Sequence, residues 1–167
     1  MGTVTSPAVG DIGTASWAGG VAGFANNLLG TQATSVSVLS TTTATFLKDS
    51  GCGDLTFVVT DAATIYRLTY SARARSDAAS TSMDFRILDG GSSSPTAASP
   101  AVAGASSGVL AVAPSGATQL EAKTQQTFTV GTHTVAAFYG RTAGAGNVVA
   151  DQATGQQRLL SVEKLTP

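Results

Sequence analysis

Ile65-Tyr66-Arg67-Leu68-Thr69-Tyr70-Ser71-Ala72-Arg73-Ala74-Arg75 is the stretch that decides the fold. Its period is two. Tyr66, Leu68, Tyr70, Ala72 and Ala74 fall on one face, and Arg67, Thr69, Ser71, Arg73 and Arg75 on the other. Successive side chains of a strand point to opposite faces, so this pattern predicts a half-buried β-strand. Aromatic and aliphatic groups line its core side, and three guanidinium groups line its outer side.

The same period recurs outward from this strand. Leu55, Phe57 and Val59 alternate with Thr56, Val58 and Thr60. Met83, Phe85, Ile87 and Asp89 alternate with Asp84, Arg86 and Leu88. Further strands are expected at Val36–Val38, Val109–Val112, Leu120–Phe128, His133–Tyr139 and Arg158–Leu165. Turns at 49–54, 76–81, Pro114–Gly116 and Gly144–Asn147 separate them. Many short strands with regular turn signals predict an all-β sandwich or jelly roll. Residues 89–108 carry Gly, Ser, Pro and Ala in place of a strand pattern and predict a long loop.

The first thirty residues read differently. Pro7 and Gly10 punctuate an extended arm. Thr14 or Ser16 is placed to cap a short helix ending near Leu29–Gly30. Trp17, Val21, Phe24 and Leu28 share one helical face, although Gly19, Gly20 and Gly23 weaken it. The expected organisation is an arm with a short docking helix over residues 1–30 and a β domain over residues 31–167.

Composition narrows the function. Charged residues are 11% of the chain, apolar residues 43%, and the net charge is -1. Gly, Ala, Ser and Thr make up more than half of it. Nucleic-acid binding needs a basic surplus, which is missing. One Cys excludes a disulfide scaffold. The apolar stretch Ala15–Leu29 is short and broken by Gly, Asn26 and Asn27, so no membrane span is expected. No basic segment precedes it, so synthesis in the cytoplasm is expected. Charge is absent from Ile12–Leu47 and from Gly90–Leu120, which suggests surfaces covered by other protein.

No residue pattern points to catalysis. His133 is the only histidine, so a metal site lacks further ligands of its type, and the ordinary reading is a strand residue. Cys52 lies between Gly51 and Gly53, and Asp49 and Asp54 beside it oppose a reactive thiolate. Asp49–Asp54 has the oxygen donors of a calcium loop but lacks its bidentate Glu, and reads as a Gly/Asp turn. Gly144–Asn147 lacks the lysine and helix of a phosphate loop. No enzyme activity, cofactor or metal is expected.

Two interaction surfaces are. Trp17, Phe24, Leu28 and Leu29 form an apolar face ahead of a complete domain, suited to docking on a partner with Trp17 as anchor. Arg67, Arg73 and Arg75 share a strand face. They read either as subunit contacts pairing acids such as Asp77, Asp84 or Asp89, or as a solvated face with ion pairs of little energy.

Four stretches carry a family resemblance. Phe128-Thr129-Val130-Gly131-Thr132-His133-Thr134-Val135, with Ala136–Arg141 after it, and Arg158–Leu165 resemble the C-terminal half of small tailed-phage virion proteins with a jelly roll of the C1q/TNF kind. Ile65–Tyr70 is similar to their central strand. Val9–Trp17 followed by Asn26–Leu29 resembles the opening of phage head and tail accessory proteins, with Gly19-Gly20 as a departure. The resemblance implies a C1q/TNF-like jelly roll and a homotrimer located in the virion. The expected role is a capsid decoration protein docking on the major capsid protein or other virion subunits. A tail or fibre tip that binds a host receptor through the 89–108 loop is the alternative. A carbohydrate-binding or adhesin module is the alternative from another class, and the 6% aromatic content disfavours it.

Overall fold

The computed structural model describes residues 28–32, 39–41, 45–78, 81–103, 106–110, 118–151 and 158–165. Every regular element among them is a β-strand: β1 (Leu28–Gln32), β2 (Leu39–Thr41), β3 (Leu47–Lys48), β4 (Asp54–Val59), β5 (Ile65–Ser76), β6 (Thr81–Asp89), β7 (Ser106–Leu110), β8 (Thr118–Thr127), β9 (Gly131–Ala143), β10 (Val148–Asp151) and β11 (Leu159–Leu165). They build two antiparallel sheets.

The deciding stretch is the spine of the first sheet. β8 pairs with β5 from Ile65 to Ala74. The other edge of β5 is shared, with β11 along Ile65–Ser71 and β10 along Arg73–Ser76. β1 continues the sheet beyond β11, and β2 beyond β10. The alternation expected from sequence holds along β5, whose even-numbered residues from Tyr66 to Ser76 are buried while the odd-numbered ones are not.

β9 is the spine of the second sheet. β4 and β3 share one of its edges, β6 takes the other, and β7 lies outside β6. The two sheets face each other across one core. Leu55, Phe57, Phe85, Ile87 and Val135 come from one sheet, and Tyr66, Leu68, Tyr70, Leu160 and Val162 from the other. Burying each of the larger side chains contributes about 1.5–3 kcal/mol.

β9 is buried without interruption from His133 to Gly140, where a half-buried strand would alternate. The 89–108 segment explains it. Pro95 is buried, and Ser94 accepts a hydrogen bond from Lys48 Nζ (2.8 Å) on the far side of β9. The chain leaving β6 therefore crosses the outer face of β9 to reach the β3–β4 edge. Under this cover, Leu88, Ala136 and Phe138 form a second small cluster, with Phe46 packed against it. Gly140 permits that packing, since a Cβ there would lie 3.2 Å from the Phe46 ring. The last part of the expected loop, Ser106–Gly108, is already strand β7.

The N-terminal expectation needs a correction. Leu28 and Leu29 belong to β1, antiparallel to β11, and not to the end of a helix. Cross-strand pairing competes well here because three glycines leave a helix little intrinsic stability. Trp17 and Phe24 lie outside the described residues. No helix of the described residues is long and apolar enough to cross a membrane.

Candidate functional site

Three features carry the side chains that chemistry or recognition would use. The first is the outer face of β5. Arg67, Arg73 and Arg75 do share it, each partly exposed. For Arg67 the acid found is not one of those expected. Arg67 pairs with Glu163 of β11, directly opposite in register (Nη2–Oε2 2.9 Å). Arg73 lies opposite Asp151 and Gln119, and Arg75 opposite Val149. Asp77 instead accepts hydrogen bonds from the backbone and side-chain nitrogens of Asn147. Asp84 is buried in the second sheet, and Asp89 binds His133. The reason is the register: Asp84 and Asp89 belong to the other sheet, and β11 is the strand that meets Arg67.

The second feature is a sealed ion pair. Asp49 and Arg158 are both 0% exposed. Arg158 Nε donates to Asp49 Oδ2 (2.8 Å), and the Tyr70 hydroxyl donates to the same oxygen (2.7 Å). Asp49 Oδ1 accepts from the amides of Gly51 (3.0 Å) and Cys52 (3.2 Å). Both carboxylate oxygens are thus saturated, and a calcium ion would have to displace an arginine. Asp54, the other acid of that turn, is tied to Lys48. Burial raises the Asp54 carboxyl, but hydrogen bonds from Lys48 and Ser94 outweigh it and leave it below its ordinary value. Burial, then the Asp49 charge, pushes the Tyr70 phenol well above its usual range, so it stays a donor. Burial and Asp49 also raise Tyr139.

The third feature surrounds His133. Its Nδ1 lies 2.7 Å from Asp89 Oδ2, and its Nε2 lies 3.0 Å from the Thr129 carbonyl oxygen. The Thr129 hydroxyl is 3.4 Å from Nε2. Asp89 Oδ1 accepts from the Gly91 amide (2.8 Å). The ring stacks on Phe57 and packs against Phe128, with centroids 5.8 and 4.9 Å away. An acid, an imidazole and a hydroxyl in this order have the outline of a nucleophilic triad. The geometry serves structure better. Nε2 is closer to the carbonyl oxygen than to the hydroxyl, so it is engaged as a donor instead of being poised to take the hydroxyl proton.

Among the described residues, no group of three or more His, Cys, Asp or Glu side chains could hold a metal ion. Cys52 is buried in the core. Gly144 adopts φ 84° in the β9–β10 turn, the left-handed region that favours glycine.

The sequence places Asp49 in a turn and His133 in a strand, and the structure agrees on both. Their partners, Arg158 and Asp89, follow from no local pattern. The one available signal was Tyr70 at a core-facing position, whose hydroxyl needs a buried acceptor.

No family model and no curated protein sequence matches this chain. Among solved structures, it is similar to a family two carbohydrate esterase from Cellvibrio japonicus, with 15% identity and a TM-score of 0.28 over 84% of this chain and 35% of that one. It is also similar to the enzymatically active domain of tailspike protein 4 of bacteriophage CBA120, with 12% identity and a TM-score of 0.30 over 83% of this chain and 19% of that one. The chain thus spans well under half of either neighbour's length.

Proposed function

We propose that this chain is a structural protein of a tailed-phage virion. In this reading the two sheets form a C1q/TNF-like jelly roll, three copies assemble around a threefold axis, and the trimer decorates the capsid surface and reinforces it. One observation carries the reading. Three of the four stretches of sequence that resemble phage virion proteins fall mainly on β5, β9 and β11, and β5 and β9 are the spines of the two sheets. Most of the resemblance therefore lies in the framework and not in a variable loop.

The partly exposed Arg67, Arg73 and Arg75 are the proposed subunit contacts. Trp17, Phe24, Leu28 and Leu29 are the proposed docking residues, of which Leu28 and Leu29 also begin the β domain through β1. Attachment by three arms of one trimer would multiply a modest individual affinity by avidity. The reading assigns no enzymatic activity, cofactor or nucleic acid to the chain.

Counting copies per particle and locating the chain in a particle map tests this. A decoration protein is present in hundreds of copies on the head, and removing it spares infectivity under mild conditions. A few copies at the tail tip, with adsorption lost on deletion, would replace it with the receptor-binding reading. That outcome would turn attention to Ser92–Ser94 and Thr96–Ala98, which are exposed. Absence from the particle would overturn both. Deleting residues 1–27, just short of β1, should leave a folded β domain that no longer attaches.

A further inference from the structure

His133 stands between two oxygen acceptors, and that arrangement counts protons. Nδ1 faces the Asp89 carboxylate at 2.7 Å and Nε2 faces the Thr129 carbonyl at 3.0 Å. Neither oxygen can donate, so satisfying both contacts requires an N–H on each ring nitrogen. Only the imidazolium has two. Asp89 is held in place by the Gly91 amide, and Gly90 and Gly91 are bound to Thr134 through backbone hydrogen bonds of 2.9 and 2.6 Å. Thr129 lies in the corner between β8 and β9. The ring therefore bridges that corner to the segment leaving β6.

We propose that His133 is a proton-dependent clamp, which ties the β8–β9 corner to residues 89–91 as an imidazolium and loosens its hold on the corner as a neutral ring. The step balances simply. Nε2 gives its proton to bulk water, while Nδ1 keeps its proton against the Asp89 carboxylate, the shorter and charge-assisted bond. The bare Nε2 lone pair then opposes the Thr129 carbonyl oxygen. The Thr129 hydroxyl, 3.4 Å away, is the donor that can replace the lost contact once the corner shifts. Nε2 thus exchanges a carbonyl for a hydroxyl of the same residue. Val130, 64% exposed at the tip of this corner, is the side chain whose presentation changes.

The other neighbours leave Asp89 as the charge that governs the ring. β4 contributes Phe57 and the corner contributes Phe128, both uncharged. β5 contributes Tyr66, packed on Phe57 and Phe128. Burial and the Asp61 charge raise its phenol, so it stays neutral. Asp61 acts from the β4–β5 turn, and β11 places Lys164 opposite Tyr66.

The chain has one histidine, so its ring gives the only imidazole signals in a nitrogen-15 spectrum. At pH 5.5 both ring nitrogens should be protonated. At pH 8 Nδ1 should remain protonated and Nε2 should not. Amide exchange in the β8–β9 corner, over residues 129–132, corrected for its intrinsic pH dependence, should speed up about five- to tenfold over this range, as expected for one lost hydrogen bond. Thr129→Val keeps the carbonyl and removes the replacement donor, so its pH response should be larger. His133→Gln should abolish the response. A bare Nε2 at pH 5.5, the Nε2–H tautomer at pH 8, or the same exchange response in H133Q would overturn the clamp.

Discussion

Asp49 and Asp89 are held in two different ways, and the contrast explains which part of the molecule is fixed and which can respond. Asp49 is paired with Arg158, and both are fully sealed. A guanidinium does not lose its proton in a protein, so the arginine side of this tie does not switch with pH. It joins the turn after β3 to Tyr70 on β5 and to the residue that precedes β11, which locks the two sheets in register. Asp89 is paired with His133, and both side chains keep slight exposure, about a tenth. An imidazole can exist charged or neutral, so the charge on this tie, and with it the second contact of the ring to Thr129, is conditional. The same acid type has two partners, and the partner sets whether the contact can be switched.

The largest expected effect comes from breaking the permanent tie. Asp49→Ala leaves the Arg158 charge buried and uncompensated, and should cost about 3–5 kcal/mol in urea unfolding. The double variant Asp49→Asn with Arg158→Met should recover much of that loss, because removing both charges removes the desolvation cost as well. A double variant as unstable as Asp49→Ala would show that packing, not charge, makes the site costly to alter.

Gly51→Ala probes the same site through sterics. A Cβ there would lie 2.5 Å from Arg158 Nη2 and 3.2 Å from Asp49 Oδ1. Overpacking a sealed site should cost about 1–3 kcal/mol. A neutral result would mean that the pair yields more readily than its burial implies.

Asp89→Asn tests the conditional tie. It removes the charge that faces the imidazolium and should cost about 1–2 kcal/mol at pH 5.5, and less at pH 8. A loss as large as that of Asp49→Ala, or one independent of pH, would erase the contrast between the two sites.

The smallest effect is expected at Asp84, which among the described residues is hydrogen-bonded to neither an arginine nor a histidine. Burial raises its carboxyl, with Arg86 opposing, and its Oδ1 has no hydrogen-bond partner among the described residues. A carboxyl raised in the folded state binds its proton more tightly there than in the unfolded chain. Its ionisation therefore costs stability as pH rises through the ordinary carboxylate range, and the full cost remains above the folded value. Asp84→Asn should stabilise the protein by about 0.5–1 kcal/mol at pH 7. No gain should appear at pH 3.

Much of the sheet framework was legible because it depends on local period. β4, β5 and β11 alternate strictly enough that the core faces of Leu55, Phe57, Leu68, Tyr70, Leu160 and Val162 follow from spacing alone. β9 was legible as a strand but not as one buried on both faces, because its second cover is an uncharged loop with no pattern of its own. Leu28 fits a helical spacing with Trp17, Val21 and Phe24, but the pairing with β11 that decides the state of Leu28 and Leu29 is distant in sequence. The polar sites were hidden for the same reason. Arg158 lies 109 residues from Asp49, and a fully buried arginine is rare enough that nothing local announces one. His133 and Asp89 are 44 residues apart and meet only because β6 and β9 pair.

The contrast between the permanent and conditional ties is tested most directly by the stability difference between the wild type and His133→Gln, measured from pH 5.5 to pH 8 in urea. Subtracting the two removes the background titration of Asp84 and the other carboxyls. The imidazolium's second hydrogen bond is present at low pH and lost as pH rises, so the wild-type advantage should be largest at pH 5.5 and shrink steadily towards pH 8. An advantage that stays constant across that range would contradict the account, since His133 would then be as permanent a tie as Arg158.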